Sequence, residues 1–409
     1  MPQPDVYLGV LCARRSSKTR PYQEQTTFFR RLIREAKAIG VEVYIFSPRD
    51  ILWKRRRIRG WTLENGRWRR RLYRFPDAVF DRVSPKGKAD LSGVPAVRRR
   101  LKRLGIPRFN TRLPGKWGMY KLWRKYPELL PALPPTRVLS KSTLKAMLNR
   151  YGEVYVKPIQ GGQGKGVAWI KRVRGGYRYR IHGPRGSRSG KVASIAAVSA
   201  RCCGGRPRIV QMAIDVLKCD GRPFDIRALV QRHADGDWHV TGVVARVGGR
   251  KSKVTNIHAG GSARKVREAL AEAGADEATI DEVIRKVEHL ALATARACSQ
   301  ATPLVAELGV DFAVDKEYNC WLLEANSRTG RISFHRAGET EAAAQADRSP
   351  AEFARFLAMQ KAAEGASRKL NRAGLPRTAG ADVPGPDAAE RAAKGAVEPG
   401  IAVPAAGGG

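Results

Sequence analysis

Apolar positions along the chain recur with two periods, and these place most of its elements. Val6–Cys12 is a continuous apolar run and predicts a buried strand. From Gln23 to Ile39 the spacing becomes helical, with Phe28, Phe29, Leu32, Ile33 and Ala36 on one face. Gly40 ends that helix, and Val41–Phe46 predicts a second strand, so the segment forms a parallel strand–helix–strand unit. Ala78–Val83 and the segment leading to Phe109 predict further strands. Two short helices between Trp117 and Arg150 flank the proline-rich Pro131–Pro135. Strand patterns follow at 154–158, 166–171, 177–181, 208–213, 224–231 and 238–246, with connections short enough for antiparallel pairing. Helical periodicity returns over 263–273 and 278–299. A hairpin then joins Val305–Val314 to Cys320–Asn326 through the polar turn Asp315–Asn319. Ala351–Leu370 predicts a last helix. Beyond Asn371 the sequence is Ala, Gly and Pro without period, the composition of a disordered tail.

Composition adds one strong feature. Among 409 residues, 77 Lys+Arg face 37 Asp+Glu, a formal charge of +40, while 43% hydrophobic residues suffice for real cores. Such a field draws polyanions, phosphorylated ligands and anionic surfaces. The same Arg and Ala enrichment also suits a GC-rich genome or a warm habitat, which imply no partner. The six cysteines form no CxxC pair and sit largely in apolar runs, as expected in a reducing compartment. Neither a signal-peptide pattern nor an apolar run of membrane-spanning length is present, so the expectation is a soluble, cytoplasmic protein.

Two motifs carry chemistry. In Val154-Tyr-Val-Lys157-Pro-Ile-Gln-Gly161-Gly162-Gln-Gly164-Lys165-Gly166 a strand ends at a lysine and a loop with four glycines follows. Glycines let backbone N–H groups approach a phosphate closely, and Lys157 adds a cation. The plain alternative is a glycine-rich hairpin turn. A P-loop is excluded, because no GxxxxGK[ST] occurs. A protein-kinase site is excluded because the lysine precedes the glycines and HRD and DFG are absent. The second motif is Glu307-Leu-Gly-Val-Asp311-Phe-Ala-Val-Asp315 with Trp321-Leu-Leu-Glu324-Ala-Asn326-Ser-Arg328-Thr-Gly330. Residues two apart share a strand face, so Glu324 and Asn326 project together and Asp311 can face them from the paired strand. Oxygen donors in an otherwise apolar hairpin suit Mg²⁺ better than a solvated surface.

In this order and spacing the two motifs resemble the ATP-grasp superfamily, and within it the YheC/YheD endospore coat-associated proteins. Phe109-Asn110, Lys116-Trp117, Gly221-Arg-Pro-Phe-Asp225-Ile-Arg227, Arg246 and Thr255-Asn256-Ile-His-Ala-Gly260-Gly261 extend the resemblance over about Val6–Arg331. It implies a Rossmann-like α/β pre-ATP-grasp domain (1–110), then two α+β ATP-grasp subdomains (111–212, with the glycine loop; 213–345, with the metal site); periodicity and composition add a C-terminal helix (346–370) and the tail (371–409). It further implies that Lys116 and Lys157 contact ATP phosphates under a lid formed by Gly161, Gly162, Gly164 and Gly166. Gln211, Met212 and Ile214 would present adenine-reading backbone groups. Arg227 would face the γ-phosphate with Asp225 orienting it. Asp311, Glu324 and Asn326 would hold Mg²⁺, and Arg246, Asn256 and the Gly260-Gly261 turn would line the substrate side. Arg328-Thr329-Gly330 departs from the family's usual Pro-Gly, and Gln160 and Gln163 replace smaller loop residues.

The implied reaction is ATP-dependent ligation of a carboxylate to an amine or related nucleophile through an acyl phosphate, with ATP and Mg²⁺ as cofactors and a small or peptide substrate; the basic field alone suits an acidic one. His258 is a candidate base, although a structural histidine is the simpler reading. Two alternatives stand beside it. One is a non-catalytic, spore-coat-associated ATP-binding protein. The other is nucleic-acid binding through the basic stretches Lys54–Arg57 and Arg67–Arg71, interleaved with Trp53, Trp61 and Trp68. A solvated, salt-bridged basic hairpin is favoured over the latter.

Overall fold

A computed structural model describes residues 5–13, 21–83, 91–161, 166–183, 186–204, 207–249 and 261–372. Three sheets organise them. The first contains β1 (Val6–Leu11), β2 (Val41–Phe46), β3 (Ile51–Leu52), β4 (Arg57–Glu64), β5 (Arg67–Arg74), β6 (Ala78–Asp81) and β7 (Arg108–Phe109), in the order β3-β4-β2-β1-β6-β7 with β5 on β4. Strands β1, β2, β6 and β7 are parallel, as the strand–helix–strand pattern requires, and β3–β5 extend the edge antiparallel. Helix α1 (Thr26–Ala38) buries Phe28, Phe29, Leu32, Ile33 and Ala36, the face anticipated from its spacing. Helix α2 (Val94–Arg103) buries Val94, Val97 and Leu101.

The second sheet has the order β12-β11-β10-β9-β13-β8, from β8 (Thr136–Val138), β9 (Glu153–Pro158), β10 (Ala168–Val173), β11 (Gly176–Gly183), β12 (Gly186–Val192) and β13 (Arg208–Met212). Helix α3 (Lys116–Trp123) precedes it. Helices α4 (Lys141–Tyr151) and α5 (Ile195–Cys202) contribute Leu144, Leu148 and Val198 to its core with Val154, Val156 and Ile170. Strand β12 carries no apolar alternation and no sequence signal.

The third sheet comprises β14 (Lys218–Cys219), β15 (Arg222–Arg232), β16 (Trp238–Val247), β17 (Ser262–Arg264), β18 (Glu307–Val314) and β19 (Cys320–Asn326), in the order β17-β16-β15-β18-β19 with β14 on β15. Helices α6 (Val266–Glu272) and α7 (Glu277–Ala301) cover one face, where Ile280, Val287, Ala291 and Cys298 meet Ile226, Ala228, Val310 and Phe312. The expected helix start at 263 shifts to Val266 because Ser262–Arg264 pairs with β16.

Helix α8 (Ile332–Arg336) leads into α9 (Thr340–Arg372), which begins eleven residues before its expected start and runs through Pro350. Proline cannot donate to the carbonyl four residues back, here Ala346. That oxygen instead accepts from Arg331 Nε at 2.8 Å and Gln231 Nε2 at 3.1 Å, so the helix continues without an orphaned group. Residues up to Gln360 form one compact unit. The predicted disordered tail falls, from residue 373, outside the described residues.

Asn110 fastens the end of β7 to the third sheet. Its amide donates to the Ser327 carbonyl at 2.8 Å, and its oxygen accepts from the Ala306 and Glu307 amides, both at 3.1 Å. The residue is buried at φ 63°, a left-handed conformation that asparagine tolerates better than most.

Candidate nucleotide and metal site

Lys157 leaves the end of β9 partly buried, and its ammonium donates to Gln211 Oε1 at 2.5 Å. The Gln211 amide donates in turn to Thr136 Oγ1 at 2.9 Å, and that hydroxyl donates to the Pro134 carbonyl at 2.8 Å. A relay across β9, β13 and β8 thus fixes the lysine head. Burial pushes the Lys157 pKa down to about 8; Glu324 opposes that shift and Lys116 adds to it.

Lys116 opens α3. Its backbone N–H donates to the Ile159 carbonyl at 3.0 Å, which ties the helix start to the strand that delivers Lys157. Its ammonium donates to the Gly161 carbonyl at 2.8 Å and lies 3.5 Å from Glu324 Oε2. Gly161 and Gly166, at φ 121° and 73°, flank the glycine loop in conformations that disfavour a side chain. Gly166 is held by the His182 carbonyl on its N–H at 2.8 Å and by Arg208 Nη1 on its oxygen at 2.6 Å. Gly162 and Gly164 lie outside the described residues.

Across from the lysines stands one charged face of the third sheet. Asp311 is the cross-strand partner of Arg227 on one side and Glu324 on the other, and Asp225 is that of Arg246. Arg227 grips both Asp311 oxygens, with Nη2 at 2.9 Å from Oδ2, and donates through Nη1 to Thr329 Oγ1 at 3.0 Å. Arg246 holds Asp225 through two bonds of 2.6 and 2.8 Å and reaches Asp311 Oδ2 at 3.1 Å. Burial alone would raise the Asp311 pKa; Arg227 and Arg246 outweigh it and hold the carboxyl below its usual range. Burial likewise works against the Arg246 charge, but Asp225 and Asp311 reverse it and raise that pKa. The bonds thus pair Asp225 with Arg246 and Asp311 with Arg227. Cross-strand partners sit closer than residues two apart on one strand, so register decides the pairing.

Glu324 and Asn326 project together as expected, with the Asn326 amide donating to Glu324 Oε1 at 3.0 Å. Their oxygens are hard donors suited to Mg²⁺ beside phosphate. Asp311, the third anticipated ligand, has both oxygens engaged by arginines. Among the described residues no group of three or more His, Cys, Asp or Glu side chains could hold a metal ion. Glu324 and Asn326 are the residues that would hold a magnesium ion, with its remaining positions left to phosphate and water.

Gln211 and Met212 lie within β13, where the Met212 N–H is spent on the Pro135 carbonyl at 2.9 Å; Ile214 lies past the strand end. Asn256, His258 and Gly260 fall outside the described residues. Sequence reasoning missed Thr329 and Gly309. The hydroxyl of Thr329 accepts from Arg227 Nη1, the third bond that fixes this guanidinium. A Cβ on Gly309 would stand 2.4 Å from Thr329 Oγ1 and 2.9 Å from Arg227 Nη1. Gly309→Ala is accordingly expected to displace Arg227 and cost about 1–3 kcal/mol of stability. Thr329→Gly in the same chain should restore part of that loss, as a double-mutant cycle by denaturant unfolding would show.

The basic hairpin β4–β5 turns at Asn65-Gly66, both at positive φ. The tryptophans in and just before it carry guanidinium groups of this chain: Arg70 lies over Trp61 at 5.8 Å, Arg30 over Trp68 at 5.6 Å and Arg100 over Trp53 at 4.2 Å. Arg70, Arg71 and Arg74 pair with Asp50, Glu64 and Asp77. No helix of the described residues is long and apolar enough to cross a membrane.

The chain is an ATP-grasp protein. More narrowly, the family described as YheC/D like ATP-grasp matches residues 105–357, well over half the chain, and the chain belongs to it. It is 26% identical over 348 residues to the endospore coat-associated protein YheD of Bacillus subtilis (strain 168), covering 83% of this chain and 76% of that one. To YheC of the same organism it is 20% identical over 328 residues, covering 77% and 88%. Among solved structures it is similar to the D-alanine-D-alanine ligase from Coxiella burnetii, at 12% identity and a TM-score of 0.48, over 89% of this chain and 100% of that one.

Proposed function

We propose that the chain is an Mg-ATP-dependent ligase that activates a carboxylate by phosphorylation for attack by an amine or related nucleophile. The observation that carries this reading is the convergence of Lys116 and Lys157 on Glu324, from the glycine-loop strand, α3 and the third sheet. Mg-ATP would supply the transferable phosphoryl group and the charge that screens it. The residues' own work is electrostatic. Lys116 and Lys157 neutralise phosphate oxygens, Glu324 and Asn326 supply metal-ligating oxygens, and Arg227 is preorganised by Asp311 and Thr329 to face developing charge. No protein nucleophile is needed. The test is ADP release across a panel of amino acids and acidic peptides, with mass spectrometry of the product. Glu324→Ala should retain the fold and lose magnesium-dependent turnover by about 10²-fold or more, the scale of removing one transition-state stabiliser. Unimpaired ADP release in that variant would return the hairpin to a plain polar surface.

A further inference from the structure

The carboxyl ends of β1, β6 and β7 form the edge of a parallel sheet at which chain direction switches, since β1 leads to β2 on one side and pairs with β6 on the other. Ligands of open α/β sheets settle at such an edge. Here the edge is crowded with cations. Asp81 is already shared by Arg98, at 2.8 and 3.0 Å, and Arg108, at 2.8 Å. Two more arginines arrive beside it through the Asn110–Ser327 hydrogen bond of 2.8 Å, which brings the chain after β7 against the chain after β19. Arg112 is two residues past Asn110, and Arg328 immediately follows Ser327.

Arg328 is partly buried, and its electrostatic neighbours are Asp81, Arg98, Arg112 and Cys12. Among the described residues neither Arg328 nor Arg112 has a carboxylate within ion-pair distance. Arg112 instead donates to Gln160 Oε1 at 3.0 Å, next to the glycine loop. The hydroxyl of Thr111, next to Arg112 in the chain, is shielded from solvent, and among the described residues it has no hydrogen-bond partner. Buried polar groups and crowded guanidinium ions are costly without an acceptor. An anion supplies one.

We infer that Arg112 and Arg328 form a substrate subsite for an anionic group, carboxylate or phosphate, carried in addition to the carboxylate that reacts. This rests on the ligase reading and narrows it: the substrate is at least dianionic. One group lies between these arginines, and the reacting carboxylate would meet the phosphoryl group held beside Glu324 and Asn326, two to four residues before Arg328 in sequence.

The test is equilibrium binding to the full chain with Mg-ADP present, using triglutamate, 3-phosphoglycerate and trialanine as probes. Wild type should bind triglutamate or 3-phosphoglycerate at least tenfold more tightly than trialanine, and which of the two wins identifies the anion. Arg328→Gln should erase that preference, Arg328→Lys should keep part of it, and Mg-ATP affinity should stay within twofold. Arg69→Gln, on the exposed hairpin, controls for attraction by net charge alone. A preference that survives Arg328→Gln, falls equally with Arg69→Gln, or is absent from wild type overturns the subsite. A parallel fall in Mg-ATP affinity assigns Arg328 to the nucleotide and also overturns it, with the ligase reading intact. Failure of wild type to bind Mg-ATP at all would sink that reading instead.

Discussion

Lys157→Ala is expected to weaken Mg-ATP binding by roughly 30- to 700-fold, the equivalent of about 2–4 kcal/mol for removing one partner of a charge-assisted, partly buried contact. The fold should survive. Truncation leaves Gln211 Oε1 without its donor, a cost of about 1–3 kcal/mol, but it also removes an ammonium that burial disfavours. Calorimetric titration with Mg-ATP gives the affinity, and an unchanged value would defeat the assignment. The pKa of about 8 adds a signature that simple loss of packing lacks. A phosphate beside Lys157 favours its charged form, so binding should be level well below pH 8 and weaken as pH rises through it, with proton uptake. In Lys157→Ala this dependence should vanish. Stability of the nucleotide-free protein moves the other way. Between pH 8 and the ordinary lysine value of 10.5 the unfolded chain holds a proton the folded one has lost, so the lysine's contribution to folding rises with pH.

The second large effect concerns stability. Glu307 is buried at the start of β18, where its carboxylate meets Arg82 Nη1 at 2.9 Å, Arg331 Nη2 and Gln231 Nε2 at 3.4 Å. Arg82 and Arg331 also lie over the Phe28 ring, at 5.3 and 4.0 Å. Burial pushes the Arg82 pKa down to about 10, against the pull of Glu307. Glu307→Gln leaves the buried Arg82 guanidinium without its counter-charge and Arg331 with only Asp347, at 3.6 Å, and should cost about 3–5 kcal/mol. The readout is the denaturant midpoint. Adding Arg82→Met should restore part of the loss, because the uncompensated charge is removed with its carboxylate. Additive losses in the double variant would show that the carboxylate acts through packing alone.

Much of this was legible from sequence where burial and period coincide. Strand β18 is buried along its whole length, and α1 shows its core face in its spacing. The lysine-before-glycine order and the Glu324–Asn326 spacing located the nucleotide and metal candidates. Pairing was not legible. Asp225 and Arg227 share a face two residues apart, yet register gives each a partner on another strand. Strand β12, Gly-Ser-Arg-Ser-Gly-Lys-Val, is exposed or half-exposed throughout and held by its ladder with β11, so no burial pattern announces it. The early start of α9 depended on donors from Gln231 and Arg331, far away in sequence, which no local rule anticipates.

The carbonyl that Pro350 leaves open has an evolutionary consequence. A helix donor at position 350 would compete with Arg331 and Gln231 for Ala346, while loss of either side chain would make the proline harder to keep. Positions 231, 331 and 350 should therefore drift as a linked set, with the proline retained in relatives that keep the two distant donors.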